Sequence, residues 1–455
     1  MLDFTPSAND LGPDPEPPGA RRDHLLKRSD DTGADTRTLR RERSRRQLDV
    51  IVAGGGPAAL EAALALKTLA PDAARVRLLA PEPAYSYRPL SVLEPFAAGQ
   101  SREYPLDRLA ARGITVVHDT LAEVDVAGRA LRTGDGVKLS YDALVVATGA
   151  RARRTLPHAI TFGGSADAEA MRGLIRDIEG GWSERIAFVA PVGTAWTLPL
   201  YELALQTAQR AHDLCLKRVA VTIITHEREP LEVFGSGVAA RVAALLDEAG
   251  IAVVTGAQPS VPRTGRVEVG PGSPAMEADR VVALPVPVGR PIRGLPCDDD
   301  GFLAVDRSGR LIGAAGVYAA GDGTSHRVKQ GGLATQQADV AVATLLADAG
   351  LGSMPEPYRP VLRGMLIAGE RTLYLRRQGT GEAAGEASPR ALWWPPTKIA
   401  GRYLAPFLDE LDADLPAAGL ERRRAMQNGG VRRRAILARA GDADDTLIAL
   451  MEHAR

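Results

Sequence analysis

Along this chain, short apolar runs alternate with stretches of helical periodicity, the pattern of repeated strand–helix units. Residues 49–53 form an apolar strand that runs straight into three glycines, and Pro57 then opens a helix whose interior, 60–69, is apolar enough to be buried. The same patterning predicts strands at 75–80 and 114–117, a hairpin across 121–133 turning at Ala127-Gly128, and a strand that follows 139–144 and ends at Ala147-Thr148-Gly149. A second series starts with a strand at 185–190, a helix at 200–210 and a strand at 219–225. A strand pair broken by Gly and Pro lies within 255–279, and 280–285 leads back toward the first series. Val317-Tyr318-Ala319-Ala320 is one more strand, with a helix opening near Gly331.

The first turn carries the chemistry. In the form G-x-G-x-x-A it uses Gly54, Gly56 and Ala59. Gly54 lets the chain turn sharply, Gly56 lets a pyrophosphate approach the backbone, and Ala59 lets the helix lie close to the strand. The open N–H groups and dipole of the helix favour anionic phosphates. A tight strand–helix turn in another kind of α/β protein has the same local pattern, so the other motifs decide. An acid at the end of the second strand normally holds the ribose. Here that strand ends in Ala80-Pro81, and Glu82 is the candidate. Tyr85-Ser86-Tyr87-Arg88-Pro89 is an aromatic and basic loop, suited to covering a cofactor through Arg88 or to packing a tyrosine at the surface. The small residues of Ala147-Thr148-Gly149 suit a chain that passes close to a cofactor and crosses to another domain.

The second series keeps the architecture but blurs its phosphate loop. After 185–190 comes Pro191-Val192-Gly193-Thr194-Ala195-Trp196-Thr197, where only Gly193 survives and Trp196 is bulky. His226 and Glu227 fall where ribose contacts belong, or in a solvated loop.

Composition narrows the reading. Fifty-six basic residues balance fifty-six acidic ones, so nothing in the overall charge calls for nucleic acid. Only six of the basic residues are lysines, which makes arginine clusters weak evidence for a partner. The two cysteines, Cys215 and Cys297, make neither a disulfide scaffold, nor a cysteine metal site, nor a C-x-x-C pair. No metal site is expected. Apolar runs fall short of a membrane span, and Arg21-Arg22 precedes a polar stretch rather than a signal core. A cytoplasmic protein is expected, with residues 1–47 a disordered tail.

The third motif settles the class. Ala320-Gly321-Asp322 ends a strand, and Lys329-Gln330-Gly331-Gly332-Leu333-Ala334-Thr335-Gln336-Gln337 follows. The Asp322 carboxylate can accept a hydrogen bond from a ribityl hydroxyl. The helix opening near Gly331 points its N-terminus where flavin reduction places negative charge. With the three motifs in this order, the chain resembles the two-dinucleotide-binding flavoproteins over about residues 48–350. Within them it is similar to the branch of type II NADH dehydrogenases and sulfide:quinone oxidoreductases. The fold class expected is α/β, with two Rossmann-like, three-layer ββα nucleotide-binding domains and a C-terminal α-rich extension. Residues 48–160 and 289–350 are the two segments of the FAD-binding domain, 161–288 the NAD(P)-binding-like domain, and 351–455 a flavin-covering region. The resemblance implies FAD bound by Gly54, Gly56, Ala59, Glu82, Arg88, Thr148, Gly149, Gly321, Asp322 and Gly331. It implies Lys329, Gln336 and Gln337 at the flavin edge or acceptor.

In the C-terminal region, Leu392-Trp393-Trp394-Pro395-Pro396-Thr397-Lys398 holds two of the four tryptophans. By analogy with the related flavoproteins, Trp393, Trp394 and Lys398 face the flavin or its acceptor, and Lys398 joins the catalytic candidates. An aromatic clasp is the alternative. Arg422-Arg423-Arg424 and Arg432-Arg433-Arg434 suit a solvated basic face or peripheral contact with anionic lipid at the inner face of a membrane. The resemblance implies a two-electron donor, with NAD(P)H leading, and a quinone-like acceptor, and it leaves homodimerisation open. A sulfide- or thiol-linked quinone reductase and a redox-responsive flavin-binding module with little turnover are the rival readings.

Overall fold

A computed structural model describes residues 47–379 and 384–413. Residues 1–46 of the tail expected at 1–47, and the arginine clusters at 422–424 and 432–434, lie outside the described residues.

The first series folds as β1 (Leu48–Ala53), α1 (Pro57–Leu69), β2 (Ala74–Leu79), β3 (Ile114–Val117) and β4 (Ala143–Val146). The second gives β5 (Ile160–Thr161), α2 (Ala168–Glu179), β6 (Arg185–Ala190), α3 (Leu198–Asp213), β7 (Ala220–Thr225), α4 (Ser236–Glu248), β8 (Ala252–Val254) and β9 (Arg280–Ala283). The chain then returns through β10 (Val317–Ala319) and α5 (Gly331–Asp348).

Two five-stranded parallel sheets result, ordered β10-β4-β1-β2-β3 and β5-β9-β6-β7-β8. The inner strands β1, β4, β6 and β9 are covered on both faces, which is why they read as nearly unbroken apolar runs. On one face of the first sheet, α1 and α5 pack through Ala58, Ala59, Ala62, Ala334, Ala338 and Ala341. Their small side chains let the two helices lie close together. On the other face a three-stranded antiparallel sheet made from 121–140 buries Val124 and Leu131 against Ile51 and Leu144. The second sheet repeats this plan, with α3 on one face and a small antiparallel sheet within 260–277 on the other. This is the α/β, two-domain Rossmann-like class that the sequence predicts.

Two elements differ from the expectation. Residues 84–87 form a strand paired antiparallel with 102–105, and Arg88 opens a 3-10 helix. Tyr85 and Tyr87 are buried, their rings edge-on with centroids 6.4 Å apart. The C-terminal region, expected to be α-rich, carries among its described residues a three-stranded antiparallel sheet, β11 (Val361–Ala368), β12 (Arg371–Gln378) and β13 (Glu386–Ser388), and one helix, α6 (Leu404–Ala413). Leu362, Leu366, Leu373 and Leu375 lay one face of this sheet on the core around α3, while Leu404, Phe407 and Leu408 of α6 join the core around α1. None of the helices in the described residues is long and apolar enough to cross a membrane.

Candidate dinucleotide site

Strand order in the first sheet reverses between β1 and β4. From β1 the chain moves outward to β2 and β3, then crosses back to β4 and β10. Open α/β sheets bind ligands outside the carboxyl ends of the strands at such a switch point. Here three sequence motifs meet. Ala53, Val146 and Ala319 stand in register on β1, β4 and β10, so the turns at Gly54, Thr148 and Gly321 emerge side by side. Ala147 N–H donates to Ala53 O (2.8 Å), and Ala320 N–H to Val146 O (3.1 Å).

The glycines of the turn do different work. Gly54 has φ +136°, and a Cβ there would stand 2.1 Å from Ala147 O. It is a glycine because β4 passes against it. Gly56 caps α1 in extended backbone, and a Cβ there would meet no atom within 4 Å. Gly149, at φ +69°, is equally open. Gly56 and Gly149 thus border open space against bare backbone, the kind of approach a phosphate-bearing group needs. Ala59 is fully buried in the α1 interface, and Thr148 is half-buried at the β4 end. Glu82 is exposed, and its Oε2 comes within 3.4 Å of where a Cβ on Gly55 would be, so its carboxylate overhangs the glycine turn.

Across the cleft Asp322 is half-buried, and desolvation raises its carboxyl above the usual range, against the opposing charges of Lys329 and Arg88. Lys329 Nζ donates to Thr324 O (2.5 Å) and lies 3.9 Å from the Phe302 ring centroid. Burial lowers its ammonium pKa to about 8, with Asp322 and Asp298 opposing. Lys329, Arg88 and Asp322 therefore form one electrostatic group beside the turns. The sequence reading missed His326, whose ring lies 5.1 Å from that of Tyr358 and whose pKa falls through burial and the nearby Lys329 charge.

The other candidates are held by protein bonds. Gln337 Oε1 accepts Gly321 N–H (2.7 Å), bracing the Ala-Gly-Asp turn. Gln336 accepts Val361 N–H and donates to Val361 O and Gly332 O, each at 2.9 Å, clipping β11 to α5. Gln330 caps α5 by accepting Leu333 N–H (2.8 Å). Gly331 is packed by Ile399, whose Cδ1 lies 2.5 Å from where a Cβ would be, and Ile399 N–H donates to Tyr87 OH (3.1 Å). Lys398 Nζ donates to both oxygens of Glu202 on α3 (2.6 and 2.7 Å), and both side chains are buried. Trp393 packs edge-on against Tyr374 at 5.2 Å, whereas Trp394 is largely exposed.

Glu61, buried on α1 and paired with the half-buried Asp339, holds the start of α6. Glu61 accepts N–H bonds from Tyr403 (2.9 Å) and Leu404 (2.7 Å) at the helix start. Asp339 of α5 hydrogen-bonds to Glu61, and desolvation together with the Glu61 charge raises the Asp339 carboxyl to about 8. Below that pH the folded chain keeps a proton that the unfolded chain releases near pH 4. Stability therefore falls as pH rises from about 4 to about 8 and then levels off. Asp339→Asn keeps a donor to Glu61 and removes the charge. The variant is expected to be more stable than wild type by at least about 1 kcal/mol at pH 8, with the gain vanishing near pH 4. Thermal melts at both pH values check this, and parallel pH profiles for the two proteins would rule it out.

The second loop is built differently. Gly193 sits at φ +91°, and Trp196 packs on Phe234 with centroids 5.9 Å apart. Glu227, at the position that faces a ribose in such domains, is turned inward and buried. Its carboxylate accepts from Thr197 Oγ1 (2.9 Å), Tyr201 OH (2.7 Å) and Thr225 Oγ1 (2.9 Å). The residues of this loop therefore present no counterpart to the open glycine cradle at Gly56.

Two Rossmann-like domains, one with an open dinucleotide cradle at its switch point, define a dinucleotide-binding α/β protein. Residues 48–338 match the pyridine nucleotide-disulphide oxidoreductase family, and the chain belongs to it. Over 235 residues it is 29% identical to an NADH dehydrogenase-like protein of Mycobacterium tuberculosis, covering 49% of this chain and 58% of that relative's length. Among solved structures, the sulfide:quinone oxidoreductase of Aquifex aeolicus is similar with a TM-score of 0.70 at 16% identity, covering 85% of this chain and 92% of that one. A ferredoxin reductase of Rhodopseudomonas palustris has a TM-score of 0.54 at 20% identity, covering 72% and 81%. At these identities the structural likeness speaks for the fold alone.

Proposed function

We propose that this chain is an FAD-dependent oxidoreductase that takes two electrons from a small donor and passes them to a quinone-like acceptor. The observation that carries the reading is the meeting of three turns at one sheet edge, with open space at Gly56 and Gly149. Gly54, Gly56, Ala59, Gly149 and Gly321 would shape the cradle, Glu82 would hold the ribose, and Asp322 would accept from the ribityl chain. Thr148 and Arg88 border the same cleft. Bound FAD would supply the two-electron chemistry. The α5 N-terminus, capped by Gln330 and opening at Gly331, favours negative charge in front of it. Lys329, with its pKa near 8, holds a proton or releases one close to neutral pH. Gln336 and Gln337 act as positioning residues through the backbone they hold.

NAD(P)H leads as donor, on the family and on the NADH dehydrogenase-like relative. The inward-turned Glu227 and the loss of the second glycine turn favour a second reading, a sulfide- or thiol-linked quinone reductase. Reconstitution with FAD followed by anaerobic mixing with NADH, NADPH and sulfide in turn tests all of this. Retained flavin absorbance that one donor bleaches is expected. A protein that retains no flavin sinks the proposal; flavin that no donor bleaches leaves the redox-responsive module.

A further inference from the structure

Arg363 on β11 and Arg376 on β12 stand directly opposite each other in the antiparallel pair, so their side chains leave the same face. Both are half-buried. Among the described residues neither has an ion-pair partner, and Arg363 Nε is buried without a hydrogen bond. Burial and the charge of Arg376 together push the Arg363 guanidinium below its usual range. Glu386 faces Arg376 from β13, but it is exposed and unpaired among the described residues. Elsewhere the chain gives partly buried arginines a carboxylate: Arg77 has Asp49, Arg102 has Asp412, and Arg310 has Asp348.

Like charges directly opposite on a sheet are destabilising, and a partly desolvated cation without an anion costs more still. Two guanidinium forks side by side match the two-oxygen face of a carboxylate or phosphate. The next pair along the same face is Met365 and Tyr374, with Trp393 edge-on to Tyr374. The cationic pair thus adjoins an apolar, aromatic wall. Through its backbone β11 is also clipped to the start of α5, with Arg363 O accepting from Gln330 Nε2 (3.2 Å).

We propose that Arg363 and Arg376 form a binding site for a small organic oxyanion, its carboxylate or phosphate head on the two guanidinium groups and its apolar body against Trp393. The site is built from residues of the C-terminal sheet, none of them among those assigned to the dinucleotide cradle, and does not depend on flavin being bound.

Titration calorimetry of the full chain at low salt, with benzoate and separately with inorganic phosphate, tests it. Saturable one-to-one binding is expected, weakened at least about ten-fold in Arg376→Gln, equivalent to about 1.4 kcal/mol. Arg376→Lys is expected to fall between them, because it keeps the charge and loses the fork. Tighter benzoate binding identifies a carboxylate with an apolar body, and tighter phosphate binding identifies a phosphate head. Without ligand, Arg376→Gln is expected to melt at or above wild type at low salt, since a repulsion is removed. Absence of saturable binding by either anion, equal affinity in wild type and Arg376→Gln, or a variant melting well below wild type would each overturn the proposal.

Discussion

Gly56→Ala is expected to give an apoprotein within about 1 kcal/mol of wild-type stability that binds FAD at least about ten-fold more weakly. The two effects separate because Gly56 is in extended backbone that alanine adopts freely, and its Cβ would meet no protein atom within 4 Å. The methyl instead fills space in which a pyrophosphate would approach the helix N-terminus. Gly54→Ala is the contrasting control. Its Cβ would clash with Ala147 O at 2.1 Å, and its φ of +136° is one that side chains rarely adopt. That variant should lose stability and flavin together, by several kcal/mol. Urea unfolding of the apoproteins and flavin titration measure both quantities. Wild-type FAD affinity in Gly56→Ala would place the phosphates elsewhere.

Local geometry explains which features were legible in the sequence. Gly54, Thr148 and Gly321 sit at strand ends, where backbone demands alone select small residues, so each left a readable mark. Glu82 could be named only as a candidate ribose acid, because it falls past the strand end; its carboxylate lies beside Gly55. The pairing of 84–87 with 102–105 was not legible, because each strand is only four residues long and a 3-10 helix separates them. The β11–β12 hairpin did carry a signal. Ala368 pairs with Arg371 across the two-residue turn Gly369-Glu370, with Gly369 at φ +58°. Residues whose roles depend on distant partners left none. Gln336 and Gln337 are bonded to backbone from β11 and from the turn after β10. Glu227 looks like a ribose acid until Thr197 and Tyr201 are seen to hold it inward.

Lys398 is the sharpest such case, and Lys398→Met is expected to destabilise the protein by about 3–5 kcal/mol. The loss comes chiefly from Glu202, which would stay buried without its cation. Burial already raises the Glu202 carboxyl, and Lys398 is the main group opposing that rise. With the lysine gone the folded-state value rises further. The folded chain then holds a proton that the unfolded chain loses near pH 4, so the penalty grows as pH rises from there. Glu202→Gln combined with Lys398→Met leaves an amide oxygen for Ile367 N–H and no buried charge. That double variant should recover most of the loss and flatten the pH dependence, because a buried pair replaced as a unit is often close to neutral. Melts from pH 5 to 8, alongside the rate of acceptor reduction, separate structure from chemistry. If the single variant melts like wild type and only acceptor reduction falls, Lys398 works at the acceptor. If stability falls and returns in the double variant, the Lys398–Glu202 pair locks the C-terminal segment onto α3.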